Sequence, residues 1–259
     1  MSSTSVAHTP VPHTPVPLTA VLHSEWIKIR SLRGSLGSLI AVFAATVGVT
    51  VLVFATVGRS EVESGDDLLL GAFYALNFGQ IAAVAFGATA VSCEFLNGAL
   101  RVSLAAVPRR DLFYAAKTAV VGGCAFAVGT VTTCTAFVAG QAFMGDDALS
   151  LGDPGAVRAC LGGGVYLALM ALFAAGLTAV LRSAAAVLGI LVPFLLIVPF
   201  VIGDVAGSAA DYLPDRAGQQ VLRQDAVGSL GPWTGLAVTA LWAAAAVLAG
   251  WWSVRRRDA

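Results

Sequence analysis

The fold class this sequence predicts is an all-α integral membrane protein, on three observations. Of the 259 residues, 58% are hydrophobic and 12% are charged, where soluble domains carry about 25% charged residues. The mean hydropathy is +0.84. The apolar runs are about 20 residues long, the length of a spanning helix, and are not the alternating strands of about 10 residues found in a barrel. Finally, Lys and Arg are confined to alternate loops although the formal net charge is zero.

Residues 1–21 contain the repeat HTPVPHTPVP. Proline at this density favours extended chain, and no basic stretch leads into an apolar one as in a signal peptide. The expectation is a disordered Pro/Thr-rich tail over 1–21 and a six-span transmembrane domain over 22–259. Leu22 to Arg33, LHSEWIKIRSLR, opens that domain. Leu22, Trp26 and Ile29 form a narrow apolar face with Lys28 and Arg30 beside it. Ile27 interrupts the pattern, and Arg33 must snorkel. Glu25, Trp26, Lys28 and Arg30 suit an interfacial helix on an anionic leaflet, or an ordinary positive anchor next to a span. Either reading makes the lipid bilayer a partner.

Six apolar spans follow, at about 36–57, 68–91, 112–143, 159–181, 184–202 and 233–254. The third exceeds what a bilayer needs at about 1.5 Å per residue, so it tilts or projects. Gly79, Ala83 and Gly87 form a ridge of small residues in the second. Such ridges let helix backbones approach within the chain or between two copies. Pro193 and Pro199 are expected to kink or break the fifth span. The loop from Asp204 to Pro232 is the longest outer one, and its Tyr212, Leu213, Val221 and Leu222 are apolar enough to dip back into the interface.

With the N-terminus inside, the outer loops hold only Arg59, Arg158, Arg216 and Arg223 of the Lys and Arg residues. Acidic residues do the reverse, with Glu61, Glu63, Asp66, Asp67, Asp146, Asp147, Asp153, Asp204, Asp211, Asp215 and Asp225 outside. The basic bias orients membrane proteins, so both termini are expected in the cytoplasm. Between the second and third spans lies SCEFLNGALRVSLAAVPRRDLFYAAK, Ser92 to Lys117. Read as one helix, it places Leu96, Ala99, Leu100, Leu104 and Val107 on an apolar face and Glu94, Asn97, Gly98 and Arg101 on a polar one. Pro108 ends that helix, and Arg109 and Arg110 make a basic knuckle. Such a helix can lie on the membrane surface and show its polar face to the cytoplasm.

Chemistry is hard to find. Glu94 and Lys117 fall at span edges, and Arg182 separates two spans. Ion-coupled transporters need ionisable groups within the bilayer. No GxxxxGK[ST] occurs; the only lysines are Lys28 and Lys117, and neither follows a Gly, so the chain has no P-loop of its own. HExxH and GxSxG are also missing. No catalytic residue, cofactor or metal site is expected. Cys93, Cys124, Cys134 and Cys160 form no CxxC pair and read as small buried hydrophobes. Asn77 and Gln80, three apart in the second span, either line a path or hydrogen-bond a neighbouring helix. The basic residues sit beside apolar spans and not on a basic domain, which argues against nucleic acid.

Three stretches, EWIKIRSLRGSLGSL, CEFLNGALRVSLAAVPRRDLFYAAK and DYLPDRAGQQVL, resemble the permease subunits of bacterial ABC-2 type exporters. The likeness covers residue 22 to the end. Phe95 and Leu100–Arg101 stand where the family commonly has an aromatic and a Thr-Ile-Arg run. The resemblance implies six helices, with no ATPase activity in this chain. It also implies two partners, a P-loop ATPase subunit and a second permease, identical or different. By the same resemblance, Glu94, Asn97, Gly98 and Arg101 form the ATPase-facing side of a coupling helix. Glu25, Lys28 and Arg30 belong to the interfacial helix, and Pro214, Asp215 and Gly218 to a re-entrant segment before the last span. The competing class is a non-transport membrane protein such as an immunity factor, sensor or scaffold, with a membrane enzyme third.

Overall fold

The computed structural model describes residues 17–64, 68–202, 207–224 and 229–256. Its described residues form ten α-helices joined by short 3-10 turns, with no strand among them: α1 (Leu18–Ser31), α2 (Arg33–Ser64), α3 (Leu68–Ala72), α4 (Leu76–Ser92), α5 (Ala99–Ala106), α6 (Arg110–Gln141), α7 (Ala156–Leu181), α8 (Ala184–Ile202), α9 (Pro214–Gln219) and α10 (Pro232–Arg256). Five of them, α2, α4, α6, α7 and α10, are long and apolar enough to cross a membrane. α8 is a further apolar helix. It buries Val187, Leu191 and Leu195 at successive turns and turns Ile190, Ile197 and Val201 outward, the one-sided burial of a helix at the rim of a bundle.

α7 is the central pillar and packs against α4, α6 and α10. Its sequence explains the position, because Gly162, Gly163, Gly164, Ala168, Ala171, Ala175, Gly176 and Ala179 leave it narrow enough to be buried on several sides. Apolar tails attract lipid as well as protein, so close backbone contact must supply the packing energy. The ridge of α4 is used in this way: a side chain on Gly87 would meet the Ala171 carbonyl carbon at 2.8 Å, and Gly79 faces Thr46 of α2. The ridge therefore packs within the chain.

Several local expectations need correction. The first helix begins at Leu18, inside the stretch read as tail, because Pro17 takes the N-cap position, where a missing N–H costs nothing. Residues 1–16 lie outside the described residues, as do Asp66, Asp67, Asp204, Asp225 and Arg257. The second span is divided: α3 stops at Ala72, and short-range bonds such as Tyr74 N–H to the Gly71 carbonyl tighten the turn before α4. Phe73 pins that turn by stacking on Phe137 of α6, with ring centroids 5.9 Å apart. α8 runs through Pro193 and Pro199 without interruption, as membrane helices tolerate. α6 has 32 residues, or about 48 Å at 1.5 Å per residue. Its first turns therefore extend past the neighbouring spans, and α1 lies alongside them.

The basic residues gather at one end of the bundle. There the Arg110 guanidinium donates to the Val254 and Arg255 carbonyls at 3.1 and 3.2 Å. The Trp251 indole donates to Asp111 at 2.8 Å, and Arg182 stacks on Phe95. The opposite end carries α9 and the start of α7.

Candidate functional site

The polar stretch between α4 and α6 is not one helix. α4 ends at Ser92, a 3-10 turn covers Cys93–Phe95, and α5 starts at Ala99. Between them Asn97 and Gly98 adopt positive φ, 51° and 74°. These residue types enter the left-handed region most readily, so the break is written in the sequence. It corrects the single polar face read there. Asn97, Gly98 and Arg101 are exposed, but Glu94 lies on the other side of the break and is 3% exposed.

Glu94 turns inward to complete a ring of four charges. Lys28 Nζ sits 2.8 Å from Glu25 Oε1 and 2.9 Å from Glu94 Oε1. Lys117 Nζ sits 2.5 Å from Glu25 Oε2 and 2.8 Å from Glu94 Oε1. Ser103 of α5 donates to Glu94 Oε2 at 2.8 Å and accepts from Lys28 at 3.0 Å. Both ammonium groups lie over the Phe113 ring, 5.4 and 5.7 Å from its centroid. Two acids and two bases make the ring neutral, which is the condition under which charges can be buried. The ring ties α1, the end of α4, α5 and the first turns of α6 into one body. Burial alone would lower the Lys28 pKa, but the hydrogen bonds and charges of Glu25 and Glu94 outweigh it and hold the pKa above the ordinary lysine value. Stability from that shift is therefore complete below the ordinary value and fades only as pH rises through the raised one.

The ring also corrects the face assigned to α1. Val21, Glu25 and Ile29 form its buried stripe, with an acid at the centre because the two lysines meet it there. Trp26 is 43% exposed. It faces outward with Ile27 and Arg30, whose guanidinium lies 5.9 Å from the indole. Lys117, Ser103 and Phe113 escaped the site reading. The available signal was that Lys28 and Lys117 are the only lysines in the chain.

At the acidic end a second polar cluster forms. The Tyr166 hydroxyl of α7 donates to Gln80 Oε1, and Gln219 of α9 donates to Asn77 Oδ1 at 2.9 Å. Asn77 and Gln80 thus both bond neighbouring helices. The expected re-entrant stretch is held deep in the bundle, where Pro214, Asp215, Ala217 and Gly218 are buried, as are Val221 and Leu222 of the turn that follows. Thr239 of α10 donates to the Pro214 carbonyl at 2.8 Å, and Gly218 leaves room for the Tyr166 ring. Burial pushes the Asp215 carboxyl above the usual range, against the backbone N–H groups and the Arg216 charge that favour ionisation. The folded chain therefore holds this proton more tightly than the unfolded one, and stability is lost as pH rises through the raised value. Asp215→Asn is expected to remove that loss. Its unfolding midpoint should hold from about pH 4 to about pH 7 while that of the parent falls. Parallel curves in a thermal melt would contradict the assignment.

Among the described residues no group of three His, Cys, Asp or Glu side chains gathers as metal ligands would. No protein-family model matches the chain, and neither does any curated protein.

Proposed function

We propose that this chain is the membrane-spanning permease subunit of an ATP-driven exporter of the ABC-2 type. It crosses the cell membrane six times with both termini in the cytoplasm. A separate P-loop ATPase subunit powers it, and a second permease subunit completes the pathway. The observation that carries the reading is the knuckle Leu96–Ala106. Its outer surface offers Leu96, Asn97, Arg101 and Val102 to solvent, with Val102 73% exposed. Its inner side is fastened through Ser103 and Glu94 to α1 and α6. A grip whose load passes into several long helices is what a partner needs in order to tilt them. Two further features support the reading: the segregation of Arg and Lys, which orients the knuckle inward, and the lack of any P-loop in the chain. The six crossings are α2, α4, α6, α7, α8 and α10. Closure of the ATPases on ATP moves the knuckle, the spans tilt, and cargo leaves at the acidic end.

The test uses the outer surface of the knuckle, because replacing buried Glu94 would also disturb folding. Arg101→Glu with Val102→Asp is expected to reduce co-purification of the P-loop ATPase encoded beside this chain by at least about tenfold, the effect of about 1.4 kcal/mol. The melting midpoint should stay put, since both side chains are exposed. Undiminished association sinks the docking role, and a chain that functions with no ATPase at all is instead a stand-alone sensor or immunity factor.

A further inference from the structure

α6 and α7 approach most closely near the acidic end. Gly129 of α6 meets the Gly164 backbone, with 3.2 Å between an added Cβ and the Gly164 Cα. One turn further on, the Thr133 hydroxyl donates to the Cys160 carbonyl of α7 at 2.6 Å. Cys134 is the next residue, and its thiol lies within hydrogen-bonding reach of the Cys160 thiol. Both are free cysteines; Cys160 is buried and Cys134 is half-buried against the same core. A disulfide needs Cα atoms about 4.4–6.8 Å apart, and helices this close, with the two thiols already facing, supply that geometry.

We propose that Cys134 and Cys160 form a redox-active pair that closes to a disulfide between α6 and α7. The half-buried Cys134 reacts first. Its thiolate attacks one sulfur of an external disulfide and releases one thiol. Cys160 then attacks the Cys134 sulfur of the mixed disulfide and expels the second thiol. Two Cys–SH groups and one external disulfide thus become one Cys134–Cys160 bridge and two external thiols, with the two protons carried away on them. Cys160 is four residues from the start of α7 at Ala156, about 6 Å of helix. The pair therefore sits near the membrane boundary at the acidic end. In the orientation set by the Arg and Lys residues that boundary faces outward, toward the oxidising compartment where disulfide-bearing oxidoreductases work. The bridge would staple the helices where the re-entrant segment docks, since Val221 and Leu222 pack against Gly162 and Gly163 of α7.

The pair is testable on the full chain in membrane vesicles, independently of any transport activity. Diamide, a membrane-permeant azo compound, accepts the two electrons and two protons and becomes a hydrazine. The vesicles are then dissolved in denaturant and free thiols are counted with a mass-tagging maleimide. The chain has four cysteines; two tags are expected to disappear on oxidation and to return after reduction. The bridged species should run as a single chain, and peptide mapping should link residue 134 to residue 160. Cys134→Ser should abolish the loss. Four tags after oxidation, a bridge between two chains, or loss that persists in Cys134→Ser would each overturn the proposal.

Discussion

Lys117→Ala is expected to cost about 3–5 kcal/mol of stability, the usual result of removing one partner from a buried charge network. The Lys117 side chain is 4% exposed and pairs with both Glu25 and Glu94. Without it, two carboxylates share the single charge of Lys28, which is itself partly in solvent. The excess negative charge has nowhere to go, because Phe113 and the α6 backbone close the inner side. The loss should appear in a detergent-titrated unfolding curve. Lys117→Met combined with Glu94→Gln provides the decisive comparison, since it restores neutrality while keeping volume. Paired removal is often nearly neutral, so the double variant should recover most of the lost stability. A cost below about 1 kcal/mol for the single variant would show that the ring contributes little. If the knuckle is the grip of a partner ATPase, the same single variant should also loosen the link between grip and spans.

Gly87→Ala comes next in size, at about 3 kcal/mol. The new methyl would lie against the Ala171 carbonyl of α7, and a backbone atom of the central helix cannot swing aside as a side chain can. Gly176→Ala should behave alike, because its methyl would meet the Ala246 backbone of α10, with the carbonyl oxygen 2.6 Å away. The controls are Gly48→Ala and Gly189→Ala, where nothing lies within 4 Å. Surface-like substitutions of this kind change stability by about 0.5 kcal/mol or less. Equal unfolding midpoints in all four variants would mean that the crossings at α7 are looser than described.

Part of this architecture could be read in advance and part could not. The amphipathic segment before the first long helix was legible because a Trp and basic residues precede an unbroken apolar run. Its buried side was misread because Glu25 ranks as polar in any periodic pattern. Only the arrival of Lys117 from α6 makes an inward carboxylate favourable. The break at Asn97–Gly98 could have been found, since that dipeptide favours left-handed backbone. The 3.6-residue spacing of Leu96, Ala99, Leu100 and Leu104 masked it. At the acidic end, DYLPDRAGQQVL reads as a loop by composition. Its burial depends on Gly162 and Gly163, far away in the chain, leaving space for Val221 and Leu222.

By itself, the sequence determined which segments are long and apolar enough for a bilayer and to which end the Arg and Lys residues are confined. Those properties sum over neighbouring residues, each with its own transfer free energy, so no knowledge of contacts is required. The tertiary structure alone decided which polar groups meet. Burial of Glu25, Glu94 and Lys117 is favourable only as a neutral set, and the members of that set come from helices well separated in the chain. The same holds for Tyr166 with Gln80 and for Cys134 with Cys160, where the energy belongs to a pair and neither residue carries it alone.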